Sequence, residues 1–257
     1  MLEVRIIPCL QLIDHSLVKT VQFRKYGYIG DPINTVRIFN ELEVDELCFL
    51  GIRATVQKRT PNLKILSEIA NECFMPLSYG GGVNDADMAK KILSIGFEKI
   101  IINTAAIENP SLISEIAKHS GNQSVIISID VKKSVFGEYS VYSHDGTRRT
   151  KHDPVKWAKS AEEAGAGELL ITSMDRDGTW KGFDIEITRN ISETVSIPVI
   201  ANGGAGSIDD IGKVVHKGKA SAVALGSIVV YQKKGMGVLV NFPDKELLAK
   251  ELSNIHA

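Results

Sequence analysis

Apolar residues fall along this chain in short runs of strand length: Ile6–Leu10, Leu47–Leu50, Leu77–Tyr79, Ile100–Ile102, Val125–Ile129, Leu169–Thr172, Val199–Ala201 and Ala222–Leu225. Each run is β-rich and nearly continuous, the pattern of strands buried on both faces. The stretches between them are spaced as helices, with Ile33, Val36 and Phe39 in the first half and Val155, Ala158 and Ala161 in the second. Buried strands that alternate with amphipathic helices require right-handed parallel crossovers, so the pattern predicts an α/β fold.

The sequence also repeats itself. At one offset Asp31-Pro32 falls on Asp153-Pro154, Pro76 on Pro198, Gly81-Gly82 on Gly203-Gly204, and Gly96 on Gly218. Asp31 and Asp153 suit helix N-caps whose first helical residue is proline. Gly96 and Gly218 stand where a helix stops and a strand follows, which suits a left-handed terminating residue. A doubly wound open sheet also alternates strands and helices, but two repeats of four βα units favour a closed (β/α)8 TIM barrel, for which this length is typical. The expectation is one barrel domain over 1–257, with half-barrels at roughly 1–122 and 123–240 and a terminal helix at 241–257.

In such a barrel the residues after each strand line the active mouth, and those that begin each strand line the floor. Gly81-Gly82 and Gly203-Gly204 each precede a helix start, where unobstructed backbone N–H groups and partial positive charge favour an anion. Asn103-Thr104 and Gly226-Ser227 follow the next strands and can close each cup. Taken singly, double glycines also make tight turns; their duplication favours two phosphate sites. At a slightly shorter offset Ile6–Gln11 falls on Val125–Asp130, so Gln11 and Asp130 end equivalent strands across the mouth. Asp130 is then a lone carboxylate where a facing acid–base pair would fit, and Gln11 is an amide that cannot exchange protons near neutral pH. Asp175-Arg176-Asp177-Gly178-Thr179 adds carboxylates to this face, unless it is simply a solvated turn. Lys19 lies in the first loop, either meeting an anion or exposed as most lysines are. At the other end Arg5, Glu46, Lys99 and Glu168 begin strands one, two, four and six, and could close the floor as a salt-bridged ring.

Composition narrows the classes. The chain is 44% hydrophobic and 24% charged with a net charge of -1, which leaves no basic field for nucleic acid. Cys9, Cys48 and Cys73 lack metal-ligand spacing and read as reduced thiols of a cytoplasmic protein. His119, His144, His152 and His216 are scattered, so no metal site is assigned, and no cofactor is expected. No long apolar segment suggests secretion or membrane spanning.

The strings RIIPCL, GDP, DELCFL, GGGV, INTAAIENPSLI, SIDVK, GAGELLITSMDRDGT, GFD and GGAG, in this order, resemble the cyclase subunit of imidazole glycerol phosphate synthase, HisF, over essentially the whole chain. The resemblance implies a (β/α)8 barrel that takes ammonia from a HisH-like glutaminase docked on its floor. It implies that ammonia is used at the top, in a lyase/cyclase reaction of histidine biosynthesis on a doubly phosphorylated formimino-aminoimidazole carboxamide ribonucleotide. By position, Arg5, Glu46, Lys99 and Glu168 match the family's ammonia gate. Gly82, Asn103, Thr104, Gly204, Gly226 and Ser227 match the two phosphate regions, Lys19, Asp177 and Gly178 match substrate-binding positions, and Asp130 matches one catalytic aspartate.

The departures sit where chemistry occurs. Gln11 occupies the position of the other catalytic aspartate, and Gly51 that of a strand-two aspartate. Losing one of two facing acids costs roughly 10²–10⁴ in rate. The chain thus resembles divergent HisF paralogues associated with acetamidino sugars of bacterial surface polysaccharides. There the resemblance implies a barrel that delivers ammonia to a separate ATP-dependent amidotransferase acting on a sugar nucleotide, and Gln11 would hydrogen-bond ammonia without trapping it as ammonium. The alternative is a cyclase relying on Asp130 with help from Asp175 or Asp177. A phosphosugar isomerase of the related half-barrel type, with Asp177 as second acid–base group, is a third possibility.

Overall fold

The computed structural model describes residues 4–253. Eight parallel strands close into a barrel: Arg5–Ile13, Leu47–Gly51, Leu77–Gly80, Lys99–Ile102, Val125–Lys133, Glu168–Ser173, Val199–Asn202 and Ala222–Leu225, hereafter barrel strands one to eight. Strand eight pairs with strand one, from Arg5 opposite Ala222 to Pro8 opposite Leu225, which completes the ring. This is the (β/α)8 architecture that the alternating pattern predicts.

The pleat separates two cores. Ile7, Cys9, Cys48, Ile101, Ile126, Leu170, Ile200, Ala222 and Ala224 point inward and fill the barrel. Their neighbours along each strand, such as Ile6, Leu47, Phe49, Ile100 and Leu169, point outward and pack under the helices. Both sides are apolar, which is why the strands read as continuous runs.

The repeat has a mechanical basis. Asp31 accepts the Asn34 N–H at 2.8 Å, and Asp153 accepts those of Val155 and Lys156 at 3.1 and 3.0 Å. Each caps a helix opened by proline, Pro32–Glu41 and Pro154–Glu163. The matched glycines behave differently. Gly96 has φ 114°, but beside Gly218 it is Lys219 that takes the left-handed conformation, with φ 56°. Gly218 instead answers a close approach: an added Cβ would lie 2.5 Å from the Val214 carbonyl oxygen.

The structure also extends the repeat. Barrel strands one and five run past the mouth into antiparallel hairpins, with Ser16–Thr20 and Tyr26–Gly30 after the first and Tyr139–Ser143 and Arg148–Arg149 after the second. Gln11 is therefore opposite Val18, and Asp130 opposite Tyr142. Strand one ends at Ile13 rather than at Gln11, because the hairpin partner continues its ladder. A helix at Lys245–Ser253 packs against Ile208–His216, within the expected terminal segment; residues 254–257 of that segment lie outside the described residues. Among the described residues no helix is long and apolar enough to cross a membrane.

Candidate functional site

At the floor, Arg5, Glu46, Lys99 and Glu168 are brought together in alternating sign. Arg5 donates to Glu46 at 2.8 Å and to Glu168 at 2.9 Å, and Lys99 donates to the same two carboxylates at 3.0 Å each. Both glutamates are buried, and within the ring only Glu46 Oε1 is buried without a partner.

At the mouth lies a cavity of about 830 Å³. Its walls include Gln11, Gly51, Gly81, Gly82, Asn103, Thr104, Asp130 and Asp177 from the sequence-based set, together with Ser128, Asp145, Thr172 and Asn202. Arg24, Arg53, Lys58 and Arg59 also line it, so the cavity that the first glycine pair faces has cationic walls. The four cup glycines all have positive φ, from 71° at Gly82 to 118° at Gly81. Packing alone already demands some of this: a Cβ on Gly81 would lie 2.2 Å from the Gly51 oxygen, and one on Gly204 2.2 Å from the Gly182 oxygen.

Two short helices follow barrel strands four and eight, the strands next after the two glycine pairs' own. Thr104–Glu108 is preceded by Asn103 at φ -124°, ψ -84°, and Ser227–Val230 by Gly226 at φ -101°, ψ -92°. The two turns are conformational copies, and neither cap residue bonds its helix with a side chain, which leaves N–H donors at each start.

The second cup is covered. Gly204, Gly226 and Ser227 are not among the cavity walls. Lys19 lies across Gly226, its Cε 2.9 Å from where a Cβ would stand, and its ammonium binds Asp177 at 2.7 Å and the Thr20 carbonyl at 2.8 Å. Of the two readings of Lys19, exposure is excluded, and its place is a strand and not a loop: it is buried because the hairpin folds back over the mouth and Asp177 neutralises it. Asp177 is likewise buried and also accepts the Thr20 hydroxyl at 2.9 Å, so this part of the loop is no solvated turn. Gly178, at φ 71°, packs against the Thr20 carbonyl.

Asp130 is held by neutral donors, Asn103 Nδ2 at 2.9 Å and Ser128 Oγ at 3.3 Å. Burial, with the charges of Asp145 and Asp177 adding to it, raises its pKa to about 7, the range where a carboxyl can both give and take a proton. Gln11 Oε1 accepts the Thr20 N–H at 2.7 Å, so what this side chain offers the cavity is chiefly its amide donors. Gly51 has its own reason: a Cβ there would lie 2.6 Å from the Tyr79 hydroxyl, so Tyr79 fills the space a longer residue would need.

Sequence reasoning missed Asp145. It follows the second hairpin strand in Ser143-His144-Asp145-Gly146, and an Asp-Gly pair between alternating strand segments is a hairpin signal that would have placed it over the mouth. Among the described residues no group of three or more His, Cys, Asp or Glu side chains is arranged to hold a metal.

Fold and site together define a TIM barrel whose polar groups gather at the floor and at a mouth with anion-binding turns. The family model described as histidine biosynthesis protein matches residues 5–235, and the chain belongs to that family, as a HisF-like member. It is 50% identical over 244 residues to a Pseudomonas aeruginosa protein provisionally named imidazole glycerol phosphate synthase subunit hisF2, covering 95% of this chain and 97% of that one. It is 47% identical over 252 residues to a provisionally named HisF subunit of Leptospira borgpetersenii, covering 96% and 99%. To the imidazole glycerol phosphate synthase subunit HisF of Alkaliphilus metalliredigens it is 41% identical over 233 residues, covering 91% and 92%.

Proposed function

We propose that this chain is the ammonia-accepting synthase subunit of a glutamine-dependent complex. A HisH-like glutaminase docks on the floor, the ring of Arg5, Glu46, Lys99 and Glu168 gates ammonia entry, and the barrel conducts ammonia to the mouth, where a phosphorylated ligand sits in the first cup. The acceptor chemistry is acetamidino modification of a sugar nucleotide for surface polysaccharide, completed with an ATP-dependent amidotransferase in the cytoplasm. One barrel domain, 1–257, carries these roles without metal or cofactor. The observation that carries the reading is the closed, mutually paired ring at the floor, opposite a mouth whose opening strand presents Gln11 where a carboxylate would fix ammonia as ammonium.

A second reading, an imidazole glycerol phosphate synthase cyclase, is favoured by one specific observation: Asp130 is poised near neutrality in a cavity that keeps an anion cup. The test is ammonium-dependent turnover of the formimino ribonucleotide by the purified chain at alkaline pH, beside Gln11→Asp. Negligible wild-type turnover with partial gain in Gln11→Asp supports the conduit, whereas robust wild-type turnover selects the cyclase.

A further inference from the structure

Three consecutive residues of the second hairpin turn, His144, Asp145 and Gly146, have positive φ of 52°, 54° and 74°. Left-handed backbone at two successive non-glycine residues is costly and persists where the surroundings enforce it. Here they do. The His144 N–H donates to Thr104 Oγ1 at 2.9 Å, the Thr147 hydroxyl donates to the His144 carbonyl at 2.6 Å, and a Cβ on Gly146 would lie 2.3 Å from Met174 Cε. The turn is thus fastened to the short helix that closes the first cup, and it carries the Asp145 carboxylate into the wall of the mouth cavity. Asp145 Oδ2 is buried there with no hydrogen-bond partner.

We propose that Asp145 is the second acid–base carboxylate of this mouth, working with Asp130 in place of the group that Gln11 lacks, on a nitrogen nucleophile adding to a C=N or C=O carbon of a ligand held in the first cup. One proton between the two carboxylates is enough for the step. Ammonia's lone pair forms the new C–N bond and the C=X π electrons move to X. Protonated Asp130 gives its proton to X while ionised Asp145 takes one from the added nitrogen, so the pair ends with one proton as it began. Asp130 faces Asp145 from the hairpin, Asp177 from the loop after strand six, and the neutral Asn103, Ser128 and Thr172. Asp145 faces Arg53 from the loop after strand two and its neighbour His144, whose Nε2 lies 3.6 Å from Glu108. Burial raises the carboxyl of Asp145, and Arg53, which faces it, opposes that shift by favouring its ionised form.

The inference rests on the reading of the mouth as a ligand site, and the test separates the two. In the full chain labelled with ¹³C-carboxyl aspartate, the titration midpoint of Asp130 is followed in wild type, in Asp145→Asn and in the exposed control Glu41→Gln. Asparagine tolerates the left-handed turn, so the fold is kept. The midpoint of Asp130 falls by about half a unit or more in Asp145→Asn and stays in place in the control, as removal of a like charge requires; an unchanged midpoint in Asp145→Asn overturns the pairing. Inorganic phosphate titrated into the same samples, read at the amides of Gly82 and Thr104, tests the ligand reading by itself. Coupling without phosphate binding sinks that reading and leaves the pair. Where ammonium chloride supports turnover of the formimino ribonucleotide, Asp145→Asn lowers kcat by roughly 10²–10⁴ and shifts the pH profile; turnover equal to wild type overturns the assignment.

Discussion

The two ends of the barrel treat their charged groups in opposite ways. At the floor, two cations and two carboxylates make four short ion pairs with one another, so each charge is neutralised even though Glu46 Oε1 has no hydrogen-bond partner. At the mouth, one pair, Lys19 with Asp177, is neutralised in the same manner, while Asp130 has only neutral donors and Asp145 keeps an oxygen without a partner. A buried charge left unpaired shifts its pKa or waits for a ligand. The floor therefore resists change unless its partners are exchanged, and the mouth holds groups ready to react.

The largest effect that would break this contrast is at the floor. Lys99→Ala leaves Glu168 and Glu46 sharing Arg5 alone, and the chain loses about 3–5 kcal/mol in urea unfolding. Adding Glu168→Gln restores part of the loss, and strict additivity of the two changes would mean that the four groups do not act as a set.

At the mouth the sign reverses. Asp130 titrates at about 7 in the folded chain against an ordinary 3.8, so between these values the folded state keeps a proton that the unfolded state has released. Stability contributed by this residue falls as pH rises from about 4 to about 7, and the deficit is complete above 7. Asp130→Asn therefore stabilises the chain by about 2–4 kcal/mol at pH 8 and hardly at pH 4. Thermal melts across this range check it, and a constant difference would mean that Asp130 is ionised throughout.

A smaller effect probes the strand-two position. Gly51→Ala costs about 1–3 kcal/mol because its Cβ meets the Tyr79 hydroxyl, and most of that is recovered when Tyr79→Phe removes the oxygen. No recovery would place the strain in the backbone instead.

Much of this was legible in the chain. All eight strands lie where the apolar runs are, since a strand buried on both faces must be apolar on both. The four floor residues were findable because strand starts share one end of a barrel. Whether Lys19 is buried was not legible, because its burial depends on Asp177, distant in the chain, to neutralise it. Asp145 is not marked by any strand end, because it sits on a hairpin that extends strand five. Gly218 carries a repeat mark without the expected backbone conformation, because Val214 crowds it.

The sequence by itself determined the alternation, the repeat and so the closed barrel, since burial pattern, caps and glycine positions are local and act within a few residues. Only the tertiary structure decided which charges meet, which cup lies open and which carboxylate stands beside Asp130. Those depend on hairpins from distant parts of the chain folding over one mouth, and on burial, which exists only once the barrel is closed.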